Sequence, residues 1–321
     1  MTITVLGAGA FGSAMAISLA SNGHKINLWS RDKNSLDDLK NSLSLKGFPT
    51  SIDIPKNIFL TTNITRAYQK SSVSLLCIPA QQTKSFLKYN LTSIKTIPTV
   101  LCAKGIDINT LQLQTEIVKS LNPTIKTAVL TGPSFALEIA QKKPSALTLA
   151  CTDSKTGIYL QDTISNESLR IYLTKDIIGT QIGGSLKNVI AIACGIVVGK
   201  NLGESAKTAV MTRGFAEIKR LGLAMGATSK TFSGLSGFGD LALTCNSKLS
   251  RNFSTGISIA SNSNLENNTV EGLTTARAAL ALADKYNVDA PIIFSINQIL
   301  NDFSMIDKVI SSLLTRPLIS E

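Results

Sequence analysis

The chain has 321 residues, of which 44% are hydrophobic and 17% are charged, and its formal net charge is +11. This composition excludes a disordered, fibrous or low-complexity protein, and the length exceeds one ordinary core, which predicts two domains. The basic residues are scattered and only 5% of residues are aromatic. The positive charge therefore predicts a small phosphorylated partner and no nucleic acid.

Short apolar runs alternate with helical stretches from Ile3 to about Leu173. The runs read ITVLG, KINLW, VSLLCIP, TVLCAKG, TAVLTG and ALTLA, and long helical patterns follow after Asp176. This alternation predicts βαβ units. The predicted fold class is α/β, with a Rossmann-type, mainly parallel sheet in residues 1–175 and an all-helical substrate-binding domain in residues 176–321.

The first apolar run leads directly into a glycine pattern. Gly7, Gly9 and Gly12 form G-x-G-x-x-G, and a helix of small residues follows. Glycine permits the tight turn and lets backbone N–H groups approach a pyrophosphate, whose charge the helix N-terminus attracts. In this context the pattern favours a dinucleotide over a purely structural turn.

The end of the second run bears on the form of the cofactor. Asp or Glu there would bind the free ribose 2′-hydroxyl of NADH. Arg31 instead suits the ribose 2′-phosphate of NADPH and slightly favours that cofactor. Asp32 lies one residue later. NADH, with Arg31 as a solvated loop residue, therefore stays an alternative.

Histidine and cysteine supply little chemistry. His24 is the one histidine and is expected to be structural, and the five cysteines show no C-x-x-C spacing. This pattern excludes a histidine base and predicts no metal, and the scattered cysteines indicate a reducing, cytoplasmic compartment. No uninterrupted apolar run has membrane-spanning length, so we expect no membrane insertion.

Lysine is the best remaining proton donor, and Lys187 lies in the apolar stretch GGSLKNVIAIACG. Helical spacing places it on one face with four small residues, which are Gly183, Gly184, Ala191 and Cys194. Small neighbours leave space for a ligand, whereas a lysine on a solvated face more often lies among long side chains. For Lys187 and Asn188 both interpretations stay open at this point.

Three further motifs suit an anionic ligand. In VLTGPSFA, Pro133 marks a helix start, and the amides around Gly132 and Ser134 form a nest for phosphate or nicotinamide, unless the motif is only a helix start. SGLSGFGD ends in Asp240, with Thr244 one helical turn beyond, and favours a ligand site over a flexible loop. In SRN, the planar guanidinium of Arg251 lies between the polar side chains of Ser250 and Asn252, an arrangement that suits a phosphoryl group.

Eight motifs occur in the order found in one enzyme family. They are GAGAFGSA, CAKGID, TGPSFALEIA, GGSLKNVIAIACG, GFGDLALTC, SRN, VEG and RPLISE. Through them the chain resembles the NAD(P)-dependent sn-glycerol-3-phosphate dehydrogenases of the bacterial biosynthetic type over essentially its whole length. The resemblance implies reversible hydride transfer between NAD(P)H and dihydroxyacetone phosphate, giving sn-glycerol 3-phosphate for phospholipid synthesis.

The resemblance also implies roles for single residues. Lys187 is the general acid/base, and Lys104 binds the substrate and helps to polarise its carbonyl group. Their supporting residues are Asn188, Asp240 and Thr244. The implied substrate contacts are Lys104, Gly132, Ser134, Lys187, Asp240, Ser250, Arg251 and Asn252. The implied cofactor contacts are Gly7, Gly9, Ala10, Phe11, Gly12, Arg31, Lys104, Ala136, Arg251 and Glu271.

Two other functions stay open. A hydroxyacid or ketopantoate-type reductase shares the architecture and also uses a lysine, but SRN and TGPSF favour the glycerol phosphate enzyme. A non-catalytic dinucleotide sensor would give no reason for Lys104, Lys187 and Asp240 to occur together. The helical domain has enough apolar faces for a homodimer.

Overall fold

The computed structural model describes residues 1–34, 36–37, 52, 54–261 and 270–315, so the closing RPLISE motif lies outside the described residues. The chain forms two compact units. The first contains Met1–Lys104 and Gln112–Gln181, and the second contains Gly105–Leu111 and the residues from Ile182 onward. The domain boundary between residues 175 and 176 stays a prediction.

The first unit contains an eight-stranded sheet. The strands are β1 (Thr2–Leu6), β2 (Lys25–Trp29), β3 (Ile58–Thr61), β4 (Val73–Leu76), β5 (Thr99–Leu101), β6 (Thr127–Thr131), β7 (Ser145–Ala150) and β8 (Leu169–Thr174). Their order is β3, β2, β1, β4, β5, β6, β7, β8, and only the β6 and β7 pair is antiparallel. The predicted Rossmann-type, mainly parallel sheet is confirmed.

The apolar runs predict six of these strands and miss β3 and β8. In β8, Arg170 and Tyr172 are exposed, and in β3 the side chain of Phe59 is 55% exposed. Both strands lie at the edges of the sheet. Because an edge strand is covered on fewer sides than a central one, neither needs the continuous apolar run that marks a buried parallel strand.

Helices cover both faces of this sheet. They are α1 (Ala10–Ser21), α2 (Ile64–Ala67), α3 (Thr83–Tyr89), α4 (Gln114–Leu121), α5 (Ala136–Ala140) and α6 (Ser154–Ile164), with a 3₁₀ turn at Ala80–Gln82. Apolar side chains of α1, α5 and α6 share a core with Ile3 and Val5, whereas those of α2, α3 and α4 share one with Leu6 and Trp29. Since neighbouring side chains of a strand point to opposite faces, β1 contributes to both cores.

The described elements from residue 182 onward are all helical, which confirms the predicted helical C-terminal part. The helices are α7 (Ile177–Gly199), α8 (Glu204–Ala224), α9 (Ser229–Phe232), α10 (Asp240–Cys245), α11 (Arg251–Ala260), α12 (Glu271–Lys285), α13 (Pro291–Asn301) and α14 (Ile306–Leu314). A π-helical turn at Leu235–Gly239 precedes α10, and a 3₁₀ turn at Phe303–Met305 precedes α14.

Helices α7 and α11 are in backbone contact. A Cβ atom on Gly195 would overlap the carbonyl oxygen of Phe253, and one on Gly256 would overlap the carbonyl oxygen of Ile192. The two helices can approach this closely because glycine has no side chain at the crossing. The small residues of α7 are thus explained in part by helix packing.

Helix α7 departs from one expectation. Among the described residues it is the one helix that is long and apolar enough to cross a membrane, although 89% of its most apolar 18-residue window is buried inside the protein. The absence of a long uninterrupted apolar run predicts no membrane insertion, but length and composition alone do not exclude a span at α7. A mostly buried core helix passes the same test, so the finding is weak evidence for one.

Candidate active site

The glycine loop after β1 has the tight backbone that its sequence predicts. Gly7 has a φ of +111°, and a Cβ atom there would lie 2.6 Å from the carbonyl oxygen of Cys77. A Cβ atom on Gly12 would overlap the carbonyl oxygen of Gly7, so α1 begins directly against the turn. At Gly9, by contrast, nothing lies within 4 Å of the Cβ position. The loop is closely packed at Gly7 and Gly12 and open at Gly9.

The open part of this loop fits the pyrophosphate of a dinucleotide. Gly9 is the N-cap of α1 and supplies no side-chain cap. The first N–H groups of a helix, here those of Ala10, Phe11 and Gly12, have no intrahelical partner and carry the positive end of the helix dipole. An anion beside Gly9 would therefore be stabilised by these groups.

Arg31 and Asp32 differ in their surroundings. Arg31 follows β2 and is exposed. The carboxylate of Asp32 accepts a hydrogen bond from the backbone N–H of Asn34 at 2.9 Å, and its own N–H donates to Oγ of Ser30 at 3.2 Å. Asp32 therefore helps to form the local turn, and Arg31 and Lys33 on either side of it are both exposed.

Lys104 and the GPS loop form a second cluster in the first unit. Nζ of Lys104 donates to the carbonyl oxygen of Gly132 at 3.4 Å, and Gly132 has a φ of +145°, which favours glycine. Oγ of Ser134 is buried and has no hydrogen-bond partner within the described residues. An unpaired buried hydroxyl costs about 1–3 kcal/mol, so a ligand that bonds to Ser134 would remove this cost.

The helix after this loop begins later than predicted. Helix α5 starts at Ala136 with Phe135 as its N-cap, and not at Pro133. Phe135 is extended, with φ of −97° and ψ of 138°. The backbone from Gly132 to Phe135 therefore stays outside the helix, and only Ala136 of the expected cofactor contacts lies in its first turn.

The second unit contains a buried ion pair. Nζ of Lys187 pairs with Oδ1 of Asp240, and the two residues are only 6% and 0% exposed. Nζ also donates to Oγ1 of Thr244 at 2.7 Å, and that hydroxyl donates to the carbonyl oxygen of Asp240 at 2.6 Å. The charge of the buried ammonium is thus compensated within the protein, as a buried charge requires.

The π-helical turn explains how Asp240 comes to face Lys187. Gly183 lies one helical turn before Lys187, and a Cβ atom there would be 2.5 Å from the carbonyl oxygen of Ser236. The turn therefore lies against the backbone of α7, and Asp240 begins α10 directly after it. Gly183 makes room for this turn and not for the ligand that its small size suggested. Within SGLSGFGD, residues 235–240 are therefore helical and not a flexible loop. Single π-helical turns are frequent at functional sites.

The SRN motif forms the start of α11. Ser250 is the N-cap, and its Oγ accepts from the N–H of Phe253 at 3.3 Å. Arg251 is exposed, and Oδ1 of Asn252 accepts from the N–H of Gly272 at 2.9 Å. Sequence reasoning missed both structural contacts. A serine before a helical run is a known capping signal and would have revealed the first, whereas the second has no local signal.

Two further predicted site residues, Asn188 and Glu271, lie in the second unit. Asn188 is 4% exposed and follows Lys187 in α7, and Glu271 is the first residue of α12, directly before Gly272.

Histidine has a structural contact in the first unit, since Nε2 of His24 lies 3.1 Å from the carbonyl oxygen of Thr163. Within the described part of the chain, no group of three or more His, Cys, Asp or Glu side chains is arranged to hold a metal ion.

Nicotinamide-dependent dehydrogenases combine a Rossmann sheet and its glycine loop with a second part that supplies an acid/base, and this chain has a glycine loop in the first unit and a buried lysine in the second. Family models for the N-terminus and the C-terminus of NAD-dependent glycerol-3-phosphate dehydrogenase match residues 2–157 and 176–311. The chain therefore belongs to the glycerol-3-phosphate dehydrogenase family.

Individual relatives agree with this assignment. Glycerol-3-phosphate dehydrogenase (NAD(P)+) of Ruegeria sp. is 43% identical over 326 residues, which cover 100% of both chains. The enzyme of the same name from Parvibaculum lavamentivorans is 41% identical, covering 99% of this chain and 98% of its own. The crystal structure of glycerol-3-phosphate dehydrogenase from Coxiella burnetii has a TM-score of 0.93 at 29% identity, covering 98% of this chain and 99% of that one.

Proposed function

We infer that this chain catalyses reversible hydride transfer between NAD(P)H and dihydroxyacetone phosphate, and that the sn-glycerol 3-phosphate formed serves phospholipid synthesis. The family assignment supports the reaction. The buried pair of Lys187 and Asp240 is the observation that carries the chemistry. The nicotinamide supplies the hydride when it is bound, and the protein must supply a proton for the carbonyl oxygen.

Lys187 is the proposed proton donor. Its Nζ is held by the carboxylate of Asp240 and the hydroxyl of Thr244, so its position is fixed by two contacts from one short helix. In the reduction, a proton moves from Nζ to the carbonyl oxygen, and in the oxidation the neutral amine takes a proton from the hydroxyl group. A positioned acid/base of this kind contributes about 10²–10⁴-fold to the rate.

Asp240, Thr244 and Asn188 are proposed to support this lysine. Asp240 stabilises the ammonium form, and Thr244 links the amine to the backbone of α10. Asn188 occupies the next position of the same helix and is buried. Its proposed role is to orient a hydroxyl group or Lys187 itself.

The substrate phosphate is proposed to bind at the start of α11. Arg251 is exposed there, and a guanidinium holds a phosphate through paired, charge-assisted hydrogen bonds. Ser250 and Asn252 flank it with polar side chains. The further proposed substrate contacts are Lys104, Gly132 and Ser134, of which Lys104 also polarises the carbonyl group.

The cofactor is proposed to bind the glycine loop. The proposed contacts there are Gly7, Gly9, Ala10, Phe11 and Gly12, and the further contacts are Arg31, Lys104, Ala136, Arg251 and Glu271. Because Arg31 is exposed and Asp32 bonds to the backbone, NADPH is the proposed preferred form. The cytoplasm is the proposed compartment, since all five cysteines are free thiols. A homodimer and the absence of nucleic-acid binding and membrane insertion stay predictions.

A substrate panel tests this function. Oxidation of NADPH and NADH is followed by nicotinamide absorbance with dihydroxyacetone phosphate, dihydroxyacetone and ketopantoate. The rate with dihydroxyacetone phosphate is expected to exceed that with dihydroxyacetone on the order of 100-fold, because the charge-assisted hydrogen bonds to the phosphate are lost. Equal rates with dihydroxyacetone phosphate and dihydroxyacetone would reject the role of Arg251. Activity with ketopantoate alone would show that the protein is a ketopantoate reductase.

A further inference from the structure

The side chain of Asn252 caps a helix other than its own. Its Oδ1 accepts a hydrogen bond from the backbone N–H of Gly272 at 2.9 Å. Gly272 is the second residue of α12, whose N-cap Val270 supplies no side-chain hydrogen bond. Asn252 therefore satisfies one of the unpaired N–H groups at the start of α12.

This hydrogen bond also decides which end of the amide is offered to a ligand. An asparagine side chain has an accepting oxygen on one side and an NH₂ group with two donors on the other. Since the oxygen of Asn252 is held by Gly272, the NH₂ group lies on the other side of the amide, away from the Gly272 N–H. Phosphate oxygens of the substrate act as acceptors, so only this orientation of the amide suits them.

The backbone at Gly272 has no space for a larger residue. A Cβ atom there would lie 2.6 Å from Oδ1 of Asn252, 2.7 Å from Cδ1 of Ile192 and 2.9 Å from the carbonyl oxygen of Asn188. Asn188 follows Lys187 in α7. Gly272 thus contacts both Asn252, which is proposed to bind the substrate phosphate, and α7, which carries the proposed proton donor.

We propose that Gly272 is a positioning residue for substrate binding. Its N–H fixes the Asn252 amide with the NH₂ group toward the substrate phosphate, and its missing side chain lets α12 approach closely enough to do so beside Asn188. The proposal rests on the proposed function, because it assumes that Asn252 binds the phosphate. Gly272 acts through Asn252 and does not itself contact the substrate.

The variant Gly272→Ala tests this role. The added Cβ atom must displace either α12 or the Asn252 amide, so the KM for dihydroxyacetone phosphate should rise about tenfold, the effect of losing one hydrogen bond to a charged group. The dissociation constant of inorganic phosphate from the NADPH-bound enzyme, measured by calorimetry, should rise by a similar factor. The affinity for NADPH, measured by fluorescence, and kcat should change less than the phosphate affinity does, because Gly272 acts on the phosphate through Asn252.

Gly199→Ala is the matched steric control. A Cβ atom at Gly199 would lie 2.7 Å from Cβ of Ala260 and 2.9 Å from the carbonyl oxygen of Ile257, at the opposite end of α11. This variant should lower Tm about as much as Gly272→Ala and leave the KM for dihydroxyacetone phosphate and the phosphate affinity unchanged. An equal loss of phosphate affinity in both variants would overturn the proposal.

Two variants of Asn252 separate the cap from the ligand contact. Asn252→Asp keeps an acceptor for the N–H of Gly272 but replaces the NH₂ group, so its Tm should stay near the wild-type value while phosphate affinity falls. Asn252→Ala should lose both. Wild-type phosphate affinity in the Asp variant would show that the amide orientation is irrelevant. A wild-type enzyme that does not reduce dihydroxyacetone phosphate would reject the proposed function, and the phosphate affinities would still decide the role of Gly272.

Discussion

Ser134 and Lys187 both bring polar atoms into the protein interior, but their surroundings differ. Lys187 has an ion pair with Asp240 and a hydrogen bond to Thr244. Oγ of Ser134 is buried and has no partner in the part of the chain that the structure describes. Because an unpaired hydroxyl is costly to bury, Ser134 is the residue of the GPS loop whose burial is best explained by a ligand.

The variant Ser134→Ala should separate stability from binding. Removal of the unpaired hydroxyl should leave the free energy of unfolding unchanged or raise it by about 1 kcal/mol, whereas the KM for dihydroxyacetone phosphate should rise about tenfold. Denaturant unfolding and steady-state kinetics measure the two effects. Thr180→Val removes another buried, unpaired hydroxyl and is the control, which should change stability alone. An unchanged KM in Ser134→Ala would exclude the ligand contact.

Local sequence patterns predict the strands, turns and helices whose structure depends mainly on neighbouring residues. Continuous apolar runs in the sequence predict the six strands from β1 to β7 other than β3, whereas the edge strands β3 and β8 lack such runs and give no signal. The glycine loop was predicted because its turn, its helix and its ligand all depend on neighbouring residues. The start of α5 was placed too early because Pro133 permits a helix without requiring one.

Contacts between distant elements could not be predicted in the same way. The pairing of Lys187 with Asp240 depends on the close approach of Gly183 to Ser236, and the cap of α12 depends on Asn252 from α11. Neither contact leaves a periodic pattern in the sequence. The resemblance to a family implied that the lysine and the aspartate act together, but the packing that joins them appears only in the structure.

Glu217 is a second example of a long-range cap. It lies in α8 and is 1% exposed, and its carboxylate accepts from the N–H groups of Ile292 at 2.8 Å and Ile293 at 3.0 Å in the first turn of α13. Burial raises the pKa of Glu217 to about 7, although the two backbone hydrogen bonds act in the opposite direction. The folded state therefore binds this proton more tightly than the unfolded state does.

The stability of the protein should consequently depend on pH through Glu217. Its contribution is fully present below the usual glutamate pKa of 4.5 and is lost as the pH rises through about 7, a difference of roughly 3 kcal/mol at 1.36 kcal/mol per unit. Glu217→Gln removes this titration, so its stability relative to the wild type should increase between pH 5 and pH 8, measured by denaturant unfolding. Glu167→Gln, at an exposed position, is the control. A relative stability of Glu217→Gln that does not change with pH would contradict the raised pKa.

The two units are proposed to divide the chemistry between them. The first supplies a glycine loop that fits a dinucleotide, and the second supplies a lysine that is buried against an aspartate. Loss of the lysine should therefore remove proton transfer without removing cofactor binding.

A variant without Lys187 could lose activity because it unfolds, so its stability must be measured as well. Lys187→Met leaves the Asp240 carboxylate buried without its cation, which should cost about 3–5 kcal/mol. The double variant Lys187→Met with Asp240→Asn removes both charges and should recover much of this loss. Measuring the two together distinguishes a missing proton donor from an unfolded protein.

The most direct measurement is a single turnover of NADPH-loaded enzyme with dihydroxyacetone phosphate in wild type, Lys187→Met and the double variant. Both variants are expected to bind NADPH with wild-type affinity by fluorescence and to reduce the substrate at least about 100-fold more slowly. A single-turnover rate within about twofold of the wild type in either variant would contradict the assignment of Lys187 as the proton donor.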